Sequence, residues 1–199
     1  MTIEEIKIAL ESRKVATIAK DSGRRQAAVA MLLTMPDTGP EVLFIRRAEY
    51  EGDPWSGDVA FPGGGIEAED ADAQAAAVRE VWEEIGLKLK AEDYLGQLDD
   101  LSGAFLPIHI SCFVYLLPNK PEVKLNGEVV ATFWMPLAEL LNPQRRRKAS
   151  FDYRGKPLTH PIIDLDGYCE RFLWGITYRL FENFFDLLSC LPQTTDRSA

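Results

Sequence analysis

The chain has 199 residues, 46% of them hydrophobic, and a formal net charge of −9. That is enough apolar material for one well-buried domain, and one domain over residues 1–199 is expected because the length does not require two. The acidity excludes a nucleic-acid-coating protein, which needs a basic surface, and means an anionic ligand must be neutralised locally.

Residues 2–12 read as a short amphipathic helix with Ile3, Ile6 and Leu10 on one side. Residues 26–33 and 42–47 read as strands separated by MPDTGP, a turn rich in Pro, Gly and Asp. A loop around GDPWSG leads to a short strand at 58–61 and a Pro-Gly-Gly-Gly turn. A helix follows, with Asp72 as N-cap and Gly86 where a left-handed residue ends helices. Further strands are expected at 94–99, 109–117 and 129–134, then a short helix at 136–141. Residues 151–154 and 158–164 suit a hairpin across RGKP, residues 172–188 a long apolar helix, and QTTDRSA a frayed tail. This irregular alternation predicts an α/β protein, a mixed sheet with helices on both faces.

No run approaches about 18 apolar residues, and MTIEEIKIALESRK has no continuous apolar segment of the signal-peptide kind. Cys112, Cys169 and Cys190 show no ligand spacing and leave an odd count, as thiols in a reducing compartment do. The expectation is a soluble, cytoplasmic protein that binds neither nucleic acid nor membrane, with a homodimer as one allowed assembly.

The helix after the glycine turn carries the chemistry. Val78, Val81, Trp82 and Ile85 form one apolar stripe, and Glu80, Glu83 and Glu84 fall nearly opposite. Carboxylates one turn apart repel by roughly 0.2–0.5 kcal/mol per pair. Such acids are either a solvated face or a site for a hard cation, since Mg²⁺ prefers a few carboxylates plus phosphate oxygens.

The surrounding string decides between them. REVWEEIGL after a glycine turn resembles the Nudix box, G-x5-E-x7-R-E-U-x-E-E-x-G-U with U aliphatic. Arg79, Glu80, Val81, Glu83, Glu84, Gly86 and Leu87 agree with it, which places the box at 64–87. The first acidic position is Asp70 instead of Glu, and eight residues rather than seven separate it from Arg79. Both departures recur in the coenzyme A diphosphatase branch of that superfamily. The resemblance implies an α/β/α sandwich and hydrolysis of a nucleoside diphosphate derivative with Mg²⁺ (or Mn²⁺). It implies Glu80 and Glu84 as metal ligands, Glu83 as a third ligand or the base, and Arg79 as the group that orients a glutamate. It also implies that Gly63, Gly64 and Gly65 let the backbone approach metal and phosphates. The family often has Lys or Arg where Gly65 stands.

Upstream, RRAEYEGDPWSGDVAFPGG resembles the second signature of coenzyme A diphosphatases, with Val42–Ile45, Arg47, Ala48, Gly57, Phe61, Pro62, Gly63 and Gly64 matching. The loop is one residue longer, and Gly52 or Asp53 stands where that signature has a second arginine. Trp174-Gly175-Ile176-Thr177 resembles a Trp-Gly-x-Thr stretch of the same branch, though Trp174 also suits a core aromatic. Glu128, before a strand, is either a hairpin acid or a further base or ligand. Arg145–Lys148 is either a solvated loop or a phosphate clamp. The substrate-binding candidates are thus Arg46, Arg47, Arg145, Arg146 and the glycine turn. Coenzyme A leads the substrate reading, with ADP-ribose or nucleotide sugars as the alternative and a non-catalytic ligand-binding domain as the remaining one.

Overall fold

Strand β1 (Arg25–Thr34) carries an almost unbroken apolar run, and its alternate side chains enter two different cores. Ala27, Met31 and Leu33 point into one, while Ala28, Ala30 and Leu32 point into the other. A strand buried on both faces belongs in the middle of a sandwich. The structure is a computed structural model and describes residues 2–19, 23–52, 55–104, 106–153 and 155–190.

On one edge β1 runs parallel to β7 (Ile108–Leu117), which also pairs antiparallel with β5 (Tyr94–Gln97) and β6 (Leu101–Ser102). The other edge of β1 is divided. Leu33 and Thr34 pair with β2 (Glu41–Arg47), whereas Ala27–Val29 pair with β4 (Gly63–Gly65). β2 in turn holds β3 (Val59–Ala60) and β8 (Val129–Pro136). A second sheet joins β9 (Arg146–Tyr153), β10 (Lys156–Asp164) and β11 (Phe172–Leu173).

Helix α1 (Ile3–Glu11) contributes Ile6, Ala9 and Leu10 to the first core, and α4 (Gly175–Ser189) contributes Leu180, Phe181 and Phe184. Helix α2 (Ala73–Ile85) covers the opposite face with Ala76, Ala77, Val81 and Ile85. The short α3 (Leu137–Leu141) follows β8. The mixed sheet between helical layers is the expected α/β/α arrangement.

Four local expectations are corrected. The glycine turn is itself a strand, β4, because its backbone completes the free half of the β1 edge. The hairpin is longer than its apolar pattern, so Arg146, Arg147 and Lys148 lie in β9 rather than in a loop. The last helix starts at Gly175, not 172, since Phe172 and Leu173 pair with β10 and Trp174 is extended. Within α2, Val81 and Ile85 are buried as the apolar stripe requires, but Trp82 is 49% exposed and Glu84 is 1% exposed, so these two depart from the expected faces. The hairpin residue Arg154 and the tail QTTDRSA lie outside the described residues.

Helix α2 opens with Asp72 accepting from the Ala75 amide at 2.8 Å and closes on Gly86 at φ 66°. Asp72→Ala should therefore lower stability by about 1 kcal/mol. Chemical denaturation should show a shifted midpoint with unchanged slope.

Candidate active site

The divided edge of β1 brings β4 against α2, and the three glycines meet that helix differently. Gly63 has φ 150°, and a Cβ there would lie 2.3 Å from the Ala28 carbonyl oxygen. A Cβ on Gly64 would lie 2.4 Å from the Glu80 carboxyl carbon. Both positions need the missing side chain for close approach. At Gly65 the space is open, and a Cβ there would meet no atom of a described residue beyond its chain neighbours within 4 Å.

Arg79 uses all of its guanidinium N–H groups. Its Nε and Nη2 donate to the two oxygens of Asp70, each at 3.0 Å. Its Nη1 donates to Glu80 at 2.9 Å and to Glu83 at 3.1 Å, and Nη2 also reaches the Gly65 carbonyl at 2.9 Å. Hydrogen bonding from Arg79 holds the Asp70 carboxyl below its ordinary range, and Asp70 in return raises the Arg79 pKa.

Glu84 sits deeper. Its Oε2 accepts from the Gly63 amide at 2.9 Å, and Arg47 lies 3.6 Å from Oε1. Burial pushes the Glu84 pKa up to about 8, opposed by the Gly63 hydrogen bond and Arg47, and reinforced by the charges of Glu80 and Glu128. Burial likewise raises Glu80, with Arg79 pulling the other way. Glu83, with 51% of its side chain exposed, is the most open of the three. Glu128 faces the pair electrostatically, in a segment fixed by its carbonyl accepting from the Ala48 amide at 2.7 Å.

A cavity of about 410 Å³ opens from these groups and is lined by Arg47, Gly63–Gly65, Arg79, Glu80, Glu83 and Glu128. Glu84, buried beneath Gly63, is outside that lining, and so are Arg46, Arg145 and Arg146. Arg46 pairs with Glu170. Arg145 is held by Glu139 at 2.7 Å and by the carbonyls of Asp164 and Asp166, and Arg146 by Glu182 at 2.8 Å. The long β9 strand carries the basic cluster to the protein's own acids, and the structure does not bring it to the box.

Sequence reasoning passes over Arg25, Trp55, Tyr153, His160 and Arg179, which all line the cavity. Nothing local distinguishes them, because strand and sheet pairing bring them there. Trp174 does stand out in the sequence, within its Trp-Gly-x-Thr stretch. Its Nε1 donates to Asp58 at 2.9 Å while its ring meets Phe151, Tyr153 and His160, so it ties the second sheet to the loop before β3.

The NUDIX domain family matches residues 24–155. The chain belongs to the Nudix family. It is 35% identical over 159 residues to an uncharacterised Nudix hydrolase NudL of Cronobacter sakazakii, covering 77% of this chain and 78% of that protein. An uncharacterised protein of Schizosaccharomyces pombe is 31% identical over 187 residues, 75% of this chain, and the chain spans 57% of that relative's length. The crystal structure of a MutT/nudix family protein from Enterococcus faecalis shares the fold, with a TM-score of 0.58 at 15% identity, over 95% of this chain and 75% of that one. The chain is a Nudix hydrolase, an enzyme of pyrophosphate bonds, and such enzymes generally use divalent metals.

The residues present fit a divalent cation. Glu84 is a buried carboxylate whose charge is incompletely offset, and acids outnumber arginines around it. Among the described residues no three acidic, His or Cys side chains form a ready-made cation cage. Glu80 and Glu84 would supply part of a coordination sphere, with substrate oxygens and water supplying the rest, as Mg²⁺ favours.

The raised Glu84 pKa has a consequence for the metal-free protein. Between the ordinary value of 4.5 and about 8, the folded state holds a proton that the unfolded chain has released. Stability must then fall as pH rises through that window, by an amount on the order of a few kcal/mol. Thermal melts should show this decline without divalent metal. Magnesium should raise the melting temperature more at pH 8 than at pH 5, since cation binding needs the ionised form. Metal-free Glu84→Gln should lack the decline and melt above wild type at pH 8.

Proposed function

We propose that the chain hydrolyses the diphosphate of coenzyme A or a close derivative, giving 3′,5′-ADP and 4′-phosphopantetheine, with Mg²⁺ or Mn²⁺ held by Glu80 and Glu84. The observation that carries this reading is the way the upstream signature meets the box. Arg47 reaches Glu84, and Gly63 and Gly64 pack against Glu84 and Glu80. The matched residues thus form one wall of the cavity with Arg47, Phe61 and the glycines.

In this reading Glu80 and Glu84 would hold a divalent cation, which would supply charge neutralisation for the diphosphate and for the attack of water. The attacking water loses its proton to a carboxylate, Glu83 or Glu128, as its oxygen bonds to phosphorus and the bridging P–O bond breaks. Both are exposed and line the cavity, and Glu128 lies in a segment fixed by its backbone. Arg79 keeps Glu80 aimed through a charge-assisted bond, and the Gly63 amide fixes Glu84. Every glutamate of REVWEE is present, which favours catalysis over a ligand-binding role.

A second reading rests on a specific departure. The signature's second arginine is missing: Gly52 is exposed, and Asp53 lies outside the described residues. The phosphate contact which that arginine could make is therefore lost, which favours a simpler nucleoside diphosphate derivative such as ADP-ribose or a nucleotide sugar.

Glu83→Gln and Glu84→Gln should each lower kcat by at least ~10²-fold, the range for losing a base or charge stabiliser. Across a panel of coenzyme A, ADP-ribose and nucleotide sugars with magnesium, kcat/KM should be highest for coenzyme A. A clear preference for ADP-ribose would support the second reading and leave the hydrolase assignment intact. A rate maximum near pH 5 at saturating magnesium would contradict ionised carboxylates as the working groups.

A further inference from the structure

We propose that Arg25 and Arg179 form a second anion subsite in the cavity, which takes a phosphomonoester carried by the substrate away from its diphosphate. This deepens the coenzyme A reading and rests on it for the identity of the substrate.

The two arginines come from distant parts of the chain, and both have contacts around the start of β7. Arg25 opens β1, pairs with Ile108 and donates its amide to the Pro107 carbonyl at 3.0 Å. Arg179 reaches over from α4, and its Nη1 donates to the Ser102 carbonyl at 2.7 Å. Ser102 pairs with His109, the next residue of β7, on the opposite edge from β1. Arg179 thus grips the chain at Ser102 through its guanidinium and Arg25 grips it at Pro107 through its backbone amide, the two ends of the loop leading into β7. Both side chains line the cavity, as do Gly103, Ala104 and Leu106 from that loop.

Among the arginines that line the cavity, these two are distinguished by their company. Arg13, Arg46, Arg47, Arg79, Arg145, Arg146, Arg147 and Arg171 each lie within ion-pair distance of a carboxylate. In a chain of net charge −9 that is the default. For Arg25 the described contact is the face of Trp55, 6.0 Å from its ring centroid, and for Arg179 it is a carbonyl. Neither contact neutralises the charge. A guanidinium held by one hydrogen bond keeps further N–H groups for an incoming oxyanion, in the forked geometry that suits phosphate.

The spacing fits a nucleotide. Ala27 is the β1 partner of Gly65, and Arg25 lies two residues further along the strand, roughly 7 Å away. A diphosphate at the Gly63–Gly65 strand would put a nucleotide's ribose between the box and Arg25. A phosphate ester on that ribose would then face the two arginines. Trp55 beside Arg25 and the apolar side chains of Leu106, Ile108 and Ile176 give the intervening surface a character suited to a base and sugar.

The test is binding of two nucleotides that differ in one phosphate, measured by calorimetry in magnesium-free buffer. Wild type should bind 3′,5′-ADP at least about tenfold more tightly than 5′-AMP, as one or two charge-assisted contacts would give. The doubly neutralised Arg25→Gln, Arg179→Gln variant should bind the two alike. No preference in wild type, or an undiminished one in the double variant, would overturn the subsite. Arg25→Gln alone, at an exposed position, should cut the preference at least ~3-fold. If the double variant does not fold, an unchanged preference in that single variant overturns the subsite equally. Turnover of coenzyme A is a separate readout. Hydrolysis that favours ADP-ribose while the 3′,5′-ADP preference persists refutes the substrate reading and leaves the subsite standing.

Discussion

The guanidinium of Arg79 is the interaction on which the rest of the site depends. One planar group holds Asp70 in two bonds, Glu80 and Glu83 in one each, and the Gly65 carbonyl of β4. It thereby ties the loop before α2, the helix itself and the glycine strand into one unit. Five donors directed from a rigid fork leave little freedom for any partner. A lysine could supply the charge but not this geometry. The carboxylates repel one another, so without that cation the helix face would splay or protonate.

The second constraint is steric. Glu80 can lie against β4 only because Gly64 has no side chain, and Gly63 can pair with β1 only because it lacks a Cβ that would strike the Ala28 carbonyl. That closeness also buries Glu84 under the strand, with the Gly63 amide as its hydrogen-bond donor. Burial of a carboxylate costs stability in the metal-free protein. The same burial gives a bound cation a low-dielectric partner, so structural weakness and affinity for metal have one origin. Gly65, free of both demands, leaves open space beside the box.

The cavity needs more than the box. Its far side is built from α4 and the second sheet, and Trp174 joins them to the loop before β3 through Asp58 and three neighbouring rings. This layer also commits Arg145 and Arg146 to Glu139 and Glu182, which leaves the cationic character of the cavity to Arg25, Arg47, Arg79 and Arg179. Charge in an acidic protein is therefore sorted by pairing, not by local density along the chain.

The sequence by itself determined what is local or periodic. The α2 caps Asp72 and Gly86, the strand at 26–33 and the spacing of Arg79, Glu80, Glu83 and Glu84 could all be read from neighbouring residues, since capping and backbone periodicity act over a few positions. The long-range pairings could not. Periodicity put Glu84 nearly opposite the apolar stripe and Trp82 within it, yet Val81 and Ile85 are buried while Trp82 is half exposed and Glu84 meets Gly63. The glycine turn became a strand because β1 had a free edge, and Phe172–Leu173 left the last helix because β10 had one. Arg25 and Arg179 are more than 150 positions apart in the sequence and come together only through the pairing of β1 and β6 with β7. Hydrogen bonds across a sheet and charges across a cavity depend on which segments become neighbours, and only the tertiary structure decides that.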